Sequence, residues 1–205
     1  MKNIITLAIG LLTCFSQAQI EDIITGLSSP GQMVLVGDEL YFVEYSANNI
    51  LKIDVTESSP IPELIYNTGD ATMDIAIYEN RLFYTHFAGD TVYELDLSDS
   101  SPTASIFATG LGDTDGLLLV GTELYVAERF ISKISKFDIT DPLPERQIVA
   151  DVPNPRKLWL EGDLLIIGAQ DGEQIMQIDI TDTDSPKITV TLSVDTGKLQ
   201  APDAG

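Results

Sequence analysis

The sequence has few of the residues that build thiolate or multi-histidine metal sites. Its 205 residues include one cysteine, Cys14, and one histidine, His86. A single cysteine forms no disulfide within the chain, and a single histidine excludes a zinc site with several histidine ligands from this chain. The G-x-S-x-G, H-E-x-x-H, P-loop and G-x-G-x-x-G motifs are also absent. The usual signatures of hydrolases, metalloproteases and nucleotide-binding proteins are therefore missing.

Basic residues are scarce. The chain has 11 Lys and Arg against 32 Asp and Glu, which gives a formal net charge of −21 at pH 7. Such a surface repels phosphate groups, so neither nucleic acid nor an anionic membrane is an expected partner. The acidity favours solubility outside the cell, and the alternative is that loop carboxylates bind Ca²⁺.

The first 18 residues resemble a secretory signal peptide. Lys2 precedes an apolar run over residues 4–12, and small residues, Ser16 and Ala18, precede the expected cleavage site after Ala18. The run has nine residues, too few for a transmembrane helix, which needs about 20. We expect a secreted or periplasmic protein with no transmembrane segment, and a lipoprotein anchored through Cys14 is the alternative.

The rest of the chain is a repeat without a helical period. Residues 116–139, GLLLVGTELYVAERFISKISKFDI, are its clearest copy. A leucine recurs at intervals of 42, 42 and 40 residues, and an aspartate at 42, 42 and 41: Leu40, Leu82, Leu124 and Leu164; Asp54, Asp96, Asp138 and Asp179. A period of about 40 to 45 residues with four short strands is typical of the blades of a β-propeller.

The predicted fold is all-β, with blades at about residues 28–66, 70–108, 112–150 and 154–194 of a propeller spanning 19–205. The second run of each copy, such as Leu40-Tyr41-Phe42-Val43, is apolar throughout, which predicts a strand covered on both faces. Trp159 falls at a core position of the repeat. The third run ends in Asp-x-Thr/Ser followed by proline, which predicts a tight turn, with calcium binding as the alternative.

The two ends of the sequence predict an open arc. Residues 20–25 match the outer strand of a blade, and residues 196–205 match the lead-in to a fifth blade. We therefore expect the four blades to belong to a larger ring, with the missing C-terminal blades of the same chain as their partners.

The repeat resembles the NHL/YVTN type of propeller, whose usual form is close to G-[IL]-A-V, G-x-L-Y-V-A-D and I-x-K-[FIL]-D. This resemblance implies a toroid of the TolB-like and gluconolactonase-like superfamily, most often six-bladed, that binds ligands on one face. The repeats also look like those of secreted Bacteroidota proteins. Lactone hydrolases and lyases are a minority of such relatives, and Ser29-Pro30-Gly31 departs from the Glu-Gly-Pro of their first metal-binding segment.

The register of the repeat predicts one convergent set of polar residues. Residues that follow the second strand and residues that open the first strand lie at the same end of a blade, so we expect them to meet in one funnel: Gln32, Glu44, Asp74, His86, Glu128, Arg129 and Lys157. Glu44, Asp74 and Glu128 could hold a cation such as Ca²⁺, with His86 as a base. The alternative is that the glutamates bond neighbouring strands.

We therefore expect a scaffold that binds a protein, glycan or small molecule through the loops after Glu44, His86 and Glu128. The alternative is a divalent-cation-dependent lactone or ester hydrolase or lyase. The sequence offers no positive sign of catalysis, so the binding role is the preferred interpretation.

Overall fold

A computed structural model describes residues 22–181 and 188–193. They form four antiparallel sheets of four strands, each built from strands consecutive in the chain. The first sheet contains β1 (Pro30–Val36), β2 (Glu39–Glu44), β3 (Asn49–Asp54) and β4 (Glu63–Asn67); the second contains β5 (Thr72–Tyr78), β6 (Arg81–His86), β7 (Val92–Asp96) and β8 (Ser105–Ala108). The third contains β9 (Thr114–Val120), β10 (Glu123–Glu128), β11 (Lys133–Asp138) and β12 (Gln147–Asp151); the fourth contains β13 (Pro155–Glu161), β14 (Leu164–Ala169), β15 (Gln174–Asp179) and β16 (Ile188–Ser193).

These sheets are the four predicted propeller blades, which we number 1 to 4 in chain order. Within the described residues the only helical element is a 3₁₀ turn, Gln170–Gly172. No helix in this part of the chain has the length and apolar character needed to cross a membrane. The predicted signal peptide, Cys14 and residues 196–205 lie outside the described residues.

Each blade repeats the same two turns. The hairpin between the first and second strands begins with a residue at positive φ: Gly37, Glu79, Gly121 and Gly162. The turn after the third strand is held by its aspartate: Asp54 Oδ1 accepts the Thr56 N–H at 2.8 Å and the Thr56 hydroxyl at 2.6 Å. The same pair of bonds joins Asp96 to Ser98, Asp138 to Thr140 and Asp179 to Thr181. These bonds confirm the turn predicted from the Asp-x-Thr/Ser motif.

The core lies between the blades. Tyr41 and Val43 of β2 pack toward Leu82 and Tyr84 of β6. The same relation joins blade 2 to blade 3, where Phe83 meets Leu124, and blade 3 to blade 4, where Tyr125 meets Leu165. The second strands of blades 2 and 3 are thus covered on both faces, as their sequence predicts, whereas β14 of blade 4 is buried on one face only.

The register of blade 4 differs by one residue from the register read in the sequence. Leu164 pairs with Asp179 as Glu123 pairs with Asp138. Leu165, fully buried like Leu124, is therefore the structural equivalent of that leucine. The residue that follows the second strand of blade 4 is consequently Gln170.

The outer face of blade 4 is exposed, and that of blade 1 is exposed in part. Trp159 retains 67% of its accessible surface, so its predicted place in the core is wrong. The equivalent residues of blades 2 and 3, Ala76 and Leu118, belong to apolar clusters shared with the next blade. Trp159 is exposed because, among the described residues, no further blade covers blade 4. On blade 1, Met33 and Leu35 are exposed for the same reason.

The described segment before blade 1 lies against that blade without pairing to a strand, as expected of a chain that lacks the inner strands this segment would complete. Residues 22–25, the described part of the predicted 20–25 strand, have no strand pairing. Ile24 and Leu27 pack instead against Phe42, Leu51 and Ile53 on the outer face of blade 1. With no neighbouring sheet to join, this segment buries its apolar side chains against the nearest apolar surface.

Candidate functional site

One end of each blade carries the loop that enters the blade and the loop between its second and third strands. The residue after the second strand donates its N–H to the entering loop in every blade. Tyr45 bonds the Ser29 carbonyl at 3.0 Å and Phe87 bonds the Ala71 carbonyl at 2.8 Å. Arg129 bonds Asp113 at 2.9 Å and Gln170 bonds Asn154 at 3.0 Å in the same way. We call this end of the blades the loop face.

Glu44 and Glu128 hold the entering loops in place. Glu44 accepts the backbone N–H of Ser28 at 2.8 Å and an amide N–H of Asn49 at 3.1 Å. Glu128 is fully buried and accepts the backbone N–H of Gly112 at 2.8 Å.

Glu128 has two further partners, the Ser135 hydroxyl and Arg146, whose Nη2 lies 2.7 Å from its Oε1. The carboxylate oxygens of both glutamates thus accept hydrogen bonds from the backbone and from neighbouring side chains. This is the structural role given above as the alternative to cation binding.

Asp74 joins three blades near the propeller axis. Its carboxylate, buried in blade 2, accepts the N–H of Ile75 at 2.9 Å and the N–H of Leu117 of blade 3 at 3.2 Å. Lys157 of blade 4 extends past blade 3 to blade 2 and places Nζ 2.9 Å from Asp74 Oδ2 and 3.2 Å from the Met73 carbonyl oxygen. Burial raises the pKa of Asp74 above its ordinary value, and the charge of Lys157 opposes that rise.

A second ion pair lies beside the first. Arg156 Nη1 is 2.6 Å from Oδ2 of buried Asp115, and Arg156 also donates to Gln170. The Arg156 backbone runs so close to Gly116 that a Cβ on this glycine would overlap the Arg156 carbonyl oxygen. Asp115 and Arg156 were not among the predicted site residues, since neither position stands out in the repeat.

A cavity of about 430 Å³ opens between blades 1, 2 and 4. Gln32, Tyr45, Thr72, Met73 and Lys157 contribute to its lining. The predicted residues Gln32, Asp74 and Lys157 therefore come together, because Lys157 both lines this cavity and bonds Asp74. We call this space the axial cavity.

His86 faces aromatic rings. Its ring centroid lies 5.3 Å from that of Tyr84 and 5.0 Å from that of Tyr93, and burial lowers its pKa. Its Nε2 is buried and has no hydrogen-bond partner among the described residues.

The predicted metal ligands are not grouped. In the part of the chain that the structure describes, no three His, Cys, Asp or Glu side chains lie close enough to hold a metal ion. Asp74 is joined to Lys157, while Glu44 and Glu128 remain with their own loops.

Aromatic side chains project from the loop face. Tyr45, Phe87 and Phe130 are exposed, Phe130 to 83% of its surface. Arg129 forms a salt bridge with Asp113, and its guanidinium carbon lies 5.5 Å from the centroid of the Phe87 ring. This stacking links the loops of blades 2 and 3. We call Tyr45, Phe87 and Phe130 the aromatic rim; the sequence placed their loops on one face but did not single out their rings.

The fold is similar to that of several solved structures, each under 25% identical in sequence. A crystal structure of a nidogen/laminin complex contains a chain with a TM-score of 0.67 and 15% identity, over 83% of this chain and 72% of that one. A streptogramin B lyase has a TM-score of 0.62 and 13% sequence identity, over 80% of this chain and 54% of that one. The N-terminal domain of Nup159 has a TM-score of 0.54 and 14% sequence identity, over 78% of this chain and 47% of that one.

The present chain thus spans about half the length of the latter two proteins. Its sequence matches no protein-family model and no curated protein. With four consecutive four-stranded blades and these structural neighbours, the chain has a β-propeller fold.

Proposed function

We propose that this chain is a secreted or periplasmic binding scaffold that contacts a protein partner through its loop face. The observation that carries the proposal is the aromatic rim, three exposed rings on loops that backbone hydrogen bonds hold in place. Aromatic residues and arginine are enriched where proteins bind one another, and a surface that is already ordered loses less entropy on binding.

The axial cavity extends this surface toward the axis. Tyr45 belongs both to the rim and to the cavity lining, so a partner that covers the rim can insert a side chain beside Gln32 and Lys157. The Lys157 ammonium group is held by Asp74 and does not need to reorganise when a partner binds. A glycan or small molecule could occupy the same cavity, but the exposed Phe130 ring lies outside its lining and favours a larger partner.

Three further features belong to the proposal. The signal peptide of residues 1–18 would direct the protein out of the cytoplasm. The repeats would be of the NHL/YVTN type. Further blades would cover the exposed outer faces of blades 1 and 4, where Met33 and Trp159 now contact solvent.

One structural neighbour comes from a protein complex, which agrees with a binding role on this fold, and another is a lyase. The lyase likeness extends only to the fold. No grouped set of carboxylate or histidine ligands within the described residues favours the hydrolase or lyase alternative.

Photo-crosslinking in the natural host tests the proposal. A photoreactive phenylalanine analogue is placed at Phe130 or, as the matched control, at Leu143, which is 81% exposed. Leu143 lies in the loop between β11 and β12, at the opposite end of β11 from Phe130. We expect a defined protein crosslinked from Phe130 and not from Leu143.

The purified partner should then bind the Phe130→Ala variant about tenfold more weakly than the Leu143→Ala variant, the size of effect that a hot-spot aromatic ring produces. Crosslinking from Leu143 alone, from neither position, or equal affinity of the two variants would overturn the assignment of the loop face.

A further inference from the structure

Every positive side chain that the structure describes is already neutralised. All of these Lys and Arg residues lie within hydrogen-bonding or ion-pairing distance of a carboxylate: Lys52, Arg81, Arg129, Lys133, Lys136, Arg146, Arg156 and Lys157. The whole chain nevertheless carries a net charge of −21. The described surface therefore offers a partner unpaired carboxylates, and no unpaired cation.

Two of these carboxylates flank the aromatic rim. Asp70 directly precedes Ala71, whose carbonyl accepts the Phe87 N–H at 2.8 Å. Asp90 closes the turn in which Phe87 lies and accepts the Thr91 hydroxyl at 2.9 Å. Neither aspartate forms a salt bridge with a described residue. Asp70 also accepts the Ala71 N–H at 2.7 Å and acts electrostatically on His86. The two loops that meet at Phe87 thus each carry an aspartate outside any salt bridge with a described residue.

The Phe87 ring already contacts a positively charged side chain of its own chain. The Arg129 guanidinium stacks on Phe87 while Asp113 neutralises it. An aromatic face beside a carboxylate attracts a lysine or arginine side chain through both the ring quadrupole and the charge. Phe130 and Ile131 supply exposed apolar surface next to this contact.

We propose that the aromatic rim recognises a basic peptide segment of another protein, with Lys or Arg side chains against Phe87, Asp70 and Asp90 and an apolar side chain against Phe130. The inference rests on the proposed function, because it names the chemistry of the partner that the loop face would bind. Charge complementarity selects this partner, since an acidic segment would face only like charge on the described surface.

Selection from a phage-displayed library of random dodecapeptides on the full 205-residue chain tests the inference. Each enriched peptide is then synthesised and its affinity measured for four variants in two matched pairs. Phe130→Ala is compared with Leu143→Ala, which is equally exposed at the opposite end of the blade.

The second pair tests charge. The double variant Asp70→Asn, Asp90→Asn is compared with Asp99→Asn, Asp141→Asn, two loop aspartates of the opposite face that likewise accept a local hydrogen bond. Asparagine retains the acceptor oxygen in each case, so loop conformation is preserved while one charge per site is removed.

We expect enriched peptides rich in Lys and Arg, with affinity reduced about tenfold by Phe130→Ala and by the Asp70, Asp90 pair, and unchanged within about twofold by the controls. Affinity should also fall as ionic strength rises from about 0.05 M to about 0.5 M, since exposed charges are screened.

Basic peptides that lose affinity equally in both aspartate pairs would show attraction to the overall negative charge and would overturn the inference. Neutral or acidic peptides that depend on Phe130 would overturn the inference while leaving the loop face as a binding surface. Peptides insensitive to Phe130→Ala and to both rim aspartates would contradict the inference and the proposed function together.

Discussion

Replacing Lys157 with methionine tests whether its contact with Asp74 stabilises the packing of blades 2, 3 and 4. Methionine keeps most of the length of the side chain and removes its charge. Asp74 would then remain buried with only the N–H groups of Ile75 and Leu117 as partners.

The expected loss follows from how deeply each partner is buried. Breaking a fully buried ion pair costs roughly 3 to 5 kcal/mol, whereas exposed pairs contribute roughly 0 to 1 kcal/mol. The Asp74 side chain is 2% exposed but that of Lys157 is 53% exposed, so water can reach the pair from one side. We expect Lys157→Met to lower the free energy of unfolding by about 1 to 2 kcal/mol near neutral pH.

The pH dependence distinguishes this explanation from a loss of packing. In the folded state the pKa of Asp74 is raised above the ordinary 3.8. Ionisation of Asp74 therefore lowers the free energy of unfolding as pH rises through the folded-state pKa, and this loss of stability is absent below the unfolded-state pKa. Removing Lys157 raises that folded pKa further. The cost of Lys157→Met should therefore shrink as pH falls from about 7 toward about 4.

Urea unfolding at both pH values measures the effect. Lys133→Met is the control, because Lys133 pairs with the exposed Asp151 and its loss should cost at most about 0.5 kcal/mol. A cost for Lys157→Met no larger than that of the control, or one that stays constant with pH, would refute the reasoning.

Three other outcomes follow from the structure. Gly116→Ala should lower the free energy of unfolding in urea by about 2 to 3 kcal/mol, because its Cβ would overlap the Arg156 carbonyl oxygen. Gly121→Ala is the control: nothing crowds its Cβ, so it should cost only the roughly 1 kcal/mol that a positive φ imposes on alanine. Equal costs would contradict the close contact between blades 3 and 4. Trp159, the sole tryptophan, should fluoresce like a solvated indole and be readily quenched by acrylamide, and a shielded, blue-shifted emission would show that its face is covered. Hydrogen bonds from Thr56, Ser98 and Thr140 lower the pKa values of Asp54, Asp96 and Asp138. Acidification below these lowered pKa values should therefore destabilise the turns. In NMR spectra the amide resonances of Thr56, Ser98 and Thr140 should then be lost before those of the strands.

The repeat could be predicted because each blade uses the same local chemistry. A residue at positive φ opens each hairpin, and an aspartate bonded to Thr or Ser closes each third strand. The one-residue register error in blade 4 has an equally local origin. Leu164 and Leu165 are both leucines at the start of a strand, and only the pairing of Leu164 with Asp179 shows which of them is buried.

The contacts at the axis could not be predicted in the same way. Lys157 and Asp74 are 83 residues apart and belong to blades that are not neighbours in the ring. A repeat register shows that two positions lie at the same end of their blades, but it does not show whether their side chains meet. That depends on the radius of the ring and the length of each side chain.

Equivalent positions in the blades diverge for physical reasons that bear on function. The position occupied by Asp74 in blade 2 is Gly116 in blade 3, where the Arg156 backbone leaves no room for a side chain. In blade 4 it is Lys157, whose side chain borders the axial cavity and reaches Asp74. Glu44 and Glu128, by contrast, are the same residue type because each must accept the N–H of its own entering loop. Positions of the loop face that carry the same residue type in two blades thus hold the loops in place. The residues that differ between blades, Lys157 and the rings of Tyr45, Phe87 and Phe130, are the ones we propose for binding.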